Sequence, residues 1–212
     1  KELEAIMNGT LSLDFDKVLP TQPIGTVEAS RVSGGKAITA ISNNLVSFIG
    51  GSADLTKSTK AKGINGDFHV TNPTGRNINF GVREHAMAAM VNGMTLHGLK
   101  AFSGAFFVFA DYLKPAVRMA AIMGLPSIYI FSHDSIGLGE DGPTHQPIEQ
   151  LAGLRSIPNL NVFRPADRME TIECWELALK NSKTPSILSL TRQNLNPIRK
   201  KYLSINKCSF GA

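Results

Sequence analysis

Between residues 133 and 147 the chain reads HDSIGLGEDGPTHQP, which places five ionisable side chains within fifteen residues. His133, Asp134, Glu140, Asp141 and His145 share the segment with glycines and prolines that hold a backbone in place without helix or strand. Imidazoles that titrate near neutrality can move protons or hydrogen-bond in either sense, and carboxylates accept from hydroxyls. Two readings stand: a solvated surface loop, or a site for a polar small molecule. The number of ionisable groups on one fixed segment favours the site.

Residues 137–142, GLGEDG, also match the spacing of a dinucleotide-binding fingerprint. Five residues separate that match from the end of the preceding apolar run at Phe131, too many for the tight turn. Glu140 and Asp141 would set negative charge beside a pyrophosphate, and Pro143 stands where the helix should already be running. The dinucleotide reading is set aside.

What must position such a loop is a sheet. SIYIF, residues 127–131, is a near-continuous apolar run, the pattern of a parallel strand covered on both faces. Further strands are expected within 45–53, at 77–80, within 99–105, at 159–163 and at 186–190. Helices are expected over 30–44, 82–98, 106–123 and 166–181. In the second of these, Val82, Ala86, Ala89, Met90 and Gly93 fall on one face and are expected to point inward. In the last, Ile172, Trp175 and Leu179 should do so. Pro115 could kink the third, and residues 54–76 read as irregular. This alternation predicts an α/β fold: a doubly wound, mostly parallel sheet flanked by helices, with an N-terminal linker arm. Ligands of such sheets sit beyond the carboxyl ends of the strands, where the loop lies.

The 212 residues, 42% hydrophobic and 18% charged, suffice for one substantial core. The net charge of +5 is scattered apart from Lys57, Lys60, Lys62 and the RKK run at 199–201. No basic stripe with interleaved aromatics points to nucleic acid, and no apolar run reaches the roughly 20 residues of a membrane span. Cys174 and Cys208, the two cysteines, are too far apart in sequence for a metal site or a disulfide framework. Cys174 is expected to be buried, in keeping with a reducing, cytoplasmic setting. The opening KELEAIMNGT reads as the tail of a helix, so the chain is expected to be a piece of something longer.

Three segments together, GGSADLTKST at 50–59, NFGVREHAM at 79–87 and HDSIGLGEDGPTHQP, resemble the middle, pyrimidine-binding domain of transketolase, a thiamine-diphosphate enzyme. FVFADY, FRPAD and SLTRQNL extend the resemblance over about residues 20–197. It implies transfer of a two-carbon ketol unit from a ketose phosphate to an aldose phosphate in the pentose phosphate pathway. Alternatives are a related deoxyxylulose-phosphate or dihydroxyacetone synthase, or a non-catalytic transketolase-like binding domain.

The resemblance also assigns residues. Glu84, by itself a charge at a helix N-terminus, becomes the carboxyl that hydrogen-bonds N1' of the cofactor's aminopyrimidine. That role calls for a protonated group, which burial favours. Phe106, Phe109 and Tyr112, by themselves core at helical spacing, become the slot for that ring. Asp54, otherwise a turn aspartate, lies near the thiazolium. Arg31, Ser58, His133 and Arg192 match groups that bind the sugar phosphate, although SGGK after Arg31 departs from the family. Asp141 matches a reader of the acceptor's C2 hydroxyl, and His145 a group near the transferred unit. His97 is expected to be structural; His69 and His85 match nothing.

The family's G-D-G motif, which holds diphosphate and magnesium or calcium, does not occur here. No metal ligand is therefore expected in this chain. Residues 1–27 are expected to be an arm from a preceding diphosphate-binding domain, 28–197 the pyrimidine-binding domain, and 198–212 a connection to a further domain. The implied partners are phosphorylated sugars and the diphosphate-binding domain of a second subunit in a homodimer.

Overall fold

The computed structural model describes residues 2–8, 11, 13–19, 25–199, 201 and 205–211. In chain order the elements are α1 (Glu2–Met7), α2 (Phe15–Val18), α3 (Ser30–Asn44), β1 (Phe48–Ser52), α4 (Thr56–Thr59) and β2 (Asn77–Asn79). Then come α5 (Glu84–Leu96), β3 (Lys100–Phe106), α6 (Ala110–Met123), β4 (Ile128–Ser132), α7 (Gln150–Arg155), β5 (Asn161–Phe163), α8 (Arg168–Lys180) and β6 (Ser186–Leu190). The six strands form one sheet in the order β2-β1-β3-β4-β6-β5, and every pair is parallel. The central strands β3, β4 and β6 are buried along their whole length, as the unbroken apolar runs require.

Side-chain alternation sorts the core into two layers. Tyr129 and Phe131 of β4 face Met87, Val91, Leu113 and Val117 of α5 and α6. Ile128 and Ile130, one residue out of phase, face Ile38 and Ile41 of α3 with Trp175 and Leu179 of α8. Ile172 is half-buried beside them. Helices thus cover both faces, as in a doubly wound sheet. Close strand approach needs the glycines of β1: a Cβ on Gly51 would stand 1.9 Å from the Ile78 carbonyl oxygen.

α5 departs from the expected facing. Its inward stripe is Glu84, Met87, Ala88, Val91, Asn92 and Thr95, whereas Met90 is 49% exposed; Val82, 74% exposed, precedes the helix, which begins at Glu84. The cause is a buried polar node. Asn92 donates to the Ala116 carbonyl and accepts from Ser127 and Tyr129, so a face that reads as polar is satisfied inside. The 106–123 region divides as well: Phe106 ends β3, a 3-10 turn covers Phe107–Phe109, and α6 follows with Pro115 inside it. Within 54–76, expected to be irregular, α4 forms a single turn.

The arm contains α1 and α2, and Phe15 and Leu19 pack with the α3–α8 layer. Most of the expected linker, residues 20–24, lies outside the described residues, as does Lys200 of the RKK run. Near the C-terminus a 3-10 turn, Lys207–Phe210, rests on α8; Cys208 there donates its backbone N–H to Glu173, whose carboxylate also receives Arg199. Among the described residues no helix is long and apolar enough to cross a membrane.

Candidate functional site

Because every strand is parallel, all their carboxyl ends lie on one edge, and each candidate residue after a strand is delivered there. Asp54 and Ser58 follow β1, Glu84 follows β2, Phe106 ends β3, His133, Asp141 and His145 follow β4, and Arg192 follows β6. Arg31 reaches the same edge from the first turn of α3.

The hub is Phe106. Its ring stacks on the His133 imidazole with centroids 3.8 Å apart and planes 30° from parallel. On another side it meets Phe109 at 6.1 Å and 12°, and Tyr112 continues the row 6.1 Å from Phe109. The His145 ring presents an edge to Phe109 at 5.5 Å and to Phe106 at 6.1 Å. Of the three aromatic residues at every third position only Phe106 is buried; Tyr112 is 65% exposed, and Phe109 is half-buried. The first of them contacts the acid-rich loop directly.

His133 adopts a left-handed backbone, φ 60°, a conformation uncommon for a residue with a side chain and typical of functional loops. It is buried. Burial first, then the charges of Arg31 and Arg192 and the neighbouring His145, push its pKa down to about 4; only Asp141 opposes them. Its Nε2 is 3.8 Å from Asp141 Oδ2, and its Nδ1 shares a hydrogen bond of 2.9 Å with Ser132 Oγ. The ring is neutral at pH 7.

Arg31 donates from Nη1 to the Ser58 carbonyl at 2.6 Å, which fixes its register on the site despite Gly34 and Gly35. Burial and the positive charge of Arg192 lower its pKa, with Asp141 opposing. Arg192 donates to exposed Glu140 at 3.0 Å. Two guanidiniums, a neutral imidazole and Asp141 thus share one electrostatic environment.

Sequence reasoning missed what holds these arginines together. The Ser30 N–H donates to Thr191 Oγ1 at 3.1 Å and the Thr191 N–H to Ser30 Oγ at 2.7 Å. That reciprocal pair clamps the start of α3 to the end of β6, one residue before each arginine. The available signal was a hydroxyl preceding an arginine in both SR and TR. Also missed was Arg164, after β5, whose Nε donates to the buried Asp134 carboxylate at 2.8 Å and anchors the loop's first turn.

Two residues reach the edge without touching this group. Asp54 is exposed and left-handed, φ 59°. Glu84 opens α5 and is 9% exposed; among the described residues its carboxylate has no hydrogen-bond or ion-pair partner. His97 closes the helix: its Nδ1 lies 2.9 Å from the Gly93 carbonyl oxygen. His69 is exposed and bonded to Thr71, and His85 is exposed. No dinucleotide helix begins after GLGEDG; the loop makes 3-10 turns at Ile136–Leu138 and Pro143–His145.

The all-parallel sheet, covered by helices on both faces and carrying its cluster of stacked rings, arginines and a histidine at the carboxyl edge, defines a doubly wound α/β domain. Residues 29–197 match the family Transketolase, pyrimidine binding domain, and the chain belongs to that family. It is 51% identical over 200 residues to a transketolase of Bacillus subtilis, across 93% of this chain and 30% of that one. A Pichia stipitis transketolase in complex with sedoheptulose-7-phosphate superposes with a TM-score of 0.88 at 43% identity, over 92% of this chain and 30% of that one. A split-gene transketolase, described as an inactive β4 tetramer, superposes with a TM-score of 0.63 at 29% identity, over 79% of this chain and 53% of that one. The chain spans about 30% of the length of the curated relatives it matches.

Proposed function

We propose that this chain supplies the pyrimidine side of a thiamine-diphosphate site in an enzyme that moves a two-carbon ketol unit from a ketose phosphate to an aldose phosphate. The observation that carries the reading is the joining of the Phe106–Phe109 slot to the Arg31–His133–Arg192 cluster on one sheet edge. The residues fit the cofactor's ring: two near-parallel aromatic rings for stacking, and in Glu84 a buried carboxyl with no partner among the described residues to compete for it.

When bound, the cofactor supplies a nucleophilic carbon and an electron sink for breaking and forming the carbon–carbon bond. The chain's own residues orient and discriminate. Glu84 holds the proton at the ring nitrogen. Arg31 and Arg192 take phosphate oxygens with paired N–H groups. The exposed Arg192–Glu140 pair contributes little by itself, so a phosphate dianion displaces it readily. Ser58 frames the phosphate end, and neutral His133 can donate to the anion or the sugar without charge. Asp141 would accept from an acceptor hydroxyl, His145 would serve the transferred unit, and Asp54 would stand by the cofactor's thiazolium.

Residues 28–197 are the pyrimidine-binding domain, with 1–27 and 198–212 linking it to other domains. Magnesium or calcium and the diphosphate are held outside this chain, by the diphosphate-binding domain of a second subunit in a homodimer in the cytoplasm. The inactive split-gene relative supports the corollary that this chain alone does not turn over. The test is Glu84→Ala in the complete enzyme, read by hydrogen–deuterium exchange at the cofactor's C2. Loss of most exchange is expected; exchange at the wild-type rate overturns the reading.

A further inference from the structure

Three lysines have no part in that site. Lys57 lies in the single turn of α4, Lys60 caps its C-terminus and Lys62 follows. Lys60 adopts a left-handed backbone, φ 62°, where glycine is the favoured residue and a side chain is strained. Opposite it, in the middle of α3, stands Gly35, an unfavourable residue for a helix interior. The two irregularities explain each other: a Cβ on Gly35 would stand 2.8 Å from Lys60 Cβ and 3.1 Å from its carbonyl oxygen. The helix gives up a side chain so that the Lys60 stem can lie against it. Strain retained at a position where glycine would relieve it points to a use for the amine.

Lys60 and Lys62 straddle two adjoining cavities of about 520 and 390 Å³ that also share Thr39. Lys57 lines the smaller one. Negative charge nearby is scarce. Glu28 is occupied by Lys36, at 2.6 Å, and by Arg168, at 3.2 Å. Asp67, which also lines the larger cavity, accepts from Asn77 and is held low by Asn77 and Asn79 first, with Lys62 a lesser contributor. Lys57, Lys60 and Lys62 form no ion pair among the described residues.

We propose that this groove binds a diphosphate group, free or carried on a nucleotide. One phosphate monoester brings a charge of about −2 at neutral pH, which leaves an ammonium unmatched; a diphosphate engages all three. No aromatic residue lines either cavity, so nothing stacks a base and the groove does not suit a nucleic-acid strand. The diphosphate is therefore the recognised part, and a nucleoside attached to it adds little.

The test is equilibrium dialysis of labelled pyrophosphate against the 212-residue chain at physiological ionic strength. ATP, inorganic phosphate and sulfate serve as competitors. Pyrophosphate and ATP should compete with similar strength, and phosphate and sulfate at least about tenfold more weakly. Lys60→Gly, which suits the left-handed backbone and so keeps the fold, should weaken groove binding several-fold, and the Lys57→Ala/Lys60→Ala/Lys62→Ala variant should remove that component. Arg192→Ala removes only pyrophosphate held at the sheet edge, so the lysine-dependent component should persist in it. Absence of binding overturns the proposal, as does equal competition by sulfate. Loss in Arg192→Ala with retention in the lysine variants overturns it too, since that places the anion at the sheet edge.

Discussion

His133 should remain neutral from pH 8 down to pH 5, and the folded state should lose stability as a result. Its pKa is pushed down to about 4 by burial and by Arg31 and Arg192, against about 6.5 in an unfolded chain. Between those values the unfolded state binds the proton and the folded state does not. The contribution is thus fully present above 6.5 and is lost as pH falls toward 4. From pH 7 to pH 5 the loss from this residue is about 2 kcal/mol. Other groups titrate over the same range, so the reading is a double difference. Urea unfolding of the wild type and of His133→Asn is compared at both pH values; asparagine is chosen because it tolerates the left-handed backbone. The wild type should lose about 2 kcal/mol more than the variant. Nitrogen-15 spectra of the ring supply the direct check, and inorganic phosphate should raise the titration midpoint by offsetting the arginine charge. A ring that titrates near 6.5, or equal pH slopes in both proteins, would refute the reasoning.

In the complete enzyme, Arg192→Ala should raise KM for phosphorylated sugars at least about tenfold and leave unphosphorylated ones near wild type; equal losses for both would contradict the phosphate role. Ellman's reagent should modify Cys208 in the native chain well before Cys174, since Cys174 is buried and the Cys208 thiol and burial push its pKa up; simultaneous labelling would oppose this. Gly51→Ala should destabilise by more than about 3 kcal/mol because the methyl collides with the Ile78 carbonyl between two strands. Denaturant melts decide it, and a near-neutral result would mean that β1 and β2 can separate.

What the sequence determined by itself was local. The apolar runs at 127–131 and 186–190 had to be buried strands, and Ser30–Asn44 formed a helix despite two glycines. That 133–147 is a loop after such a strand was legible because its glycines and prolines exclude helix and strand. Periodicity misled where a polar residue was satisfied inside. Asn92 reads as an outward position, yet its bonds to Ala116, Ser127 and Tyr129 hold it inside, and Met90 on α5 faces outward. The spacing of Phe106, Phe109 and Tyr112 reads as helix core, but the strand ends at Phe106 and turns the aromatic row onto His133. Only the tertiary structure could bring Arg31 beside Arg192, residues 161 positions apart that meet through the Ser30–Thr191 clamp one step earlier in each segment. Local sequence fixes the periodicity and backbone preference of each segment. Which segments share an edge depends on parallel strand order, and that is decided by burying both faces of the sheet at once.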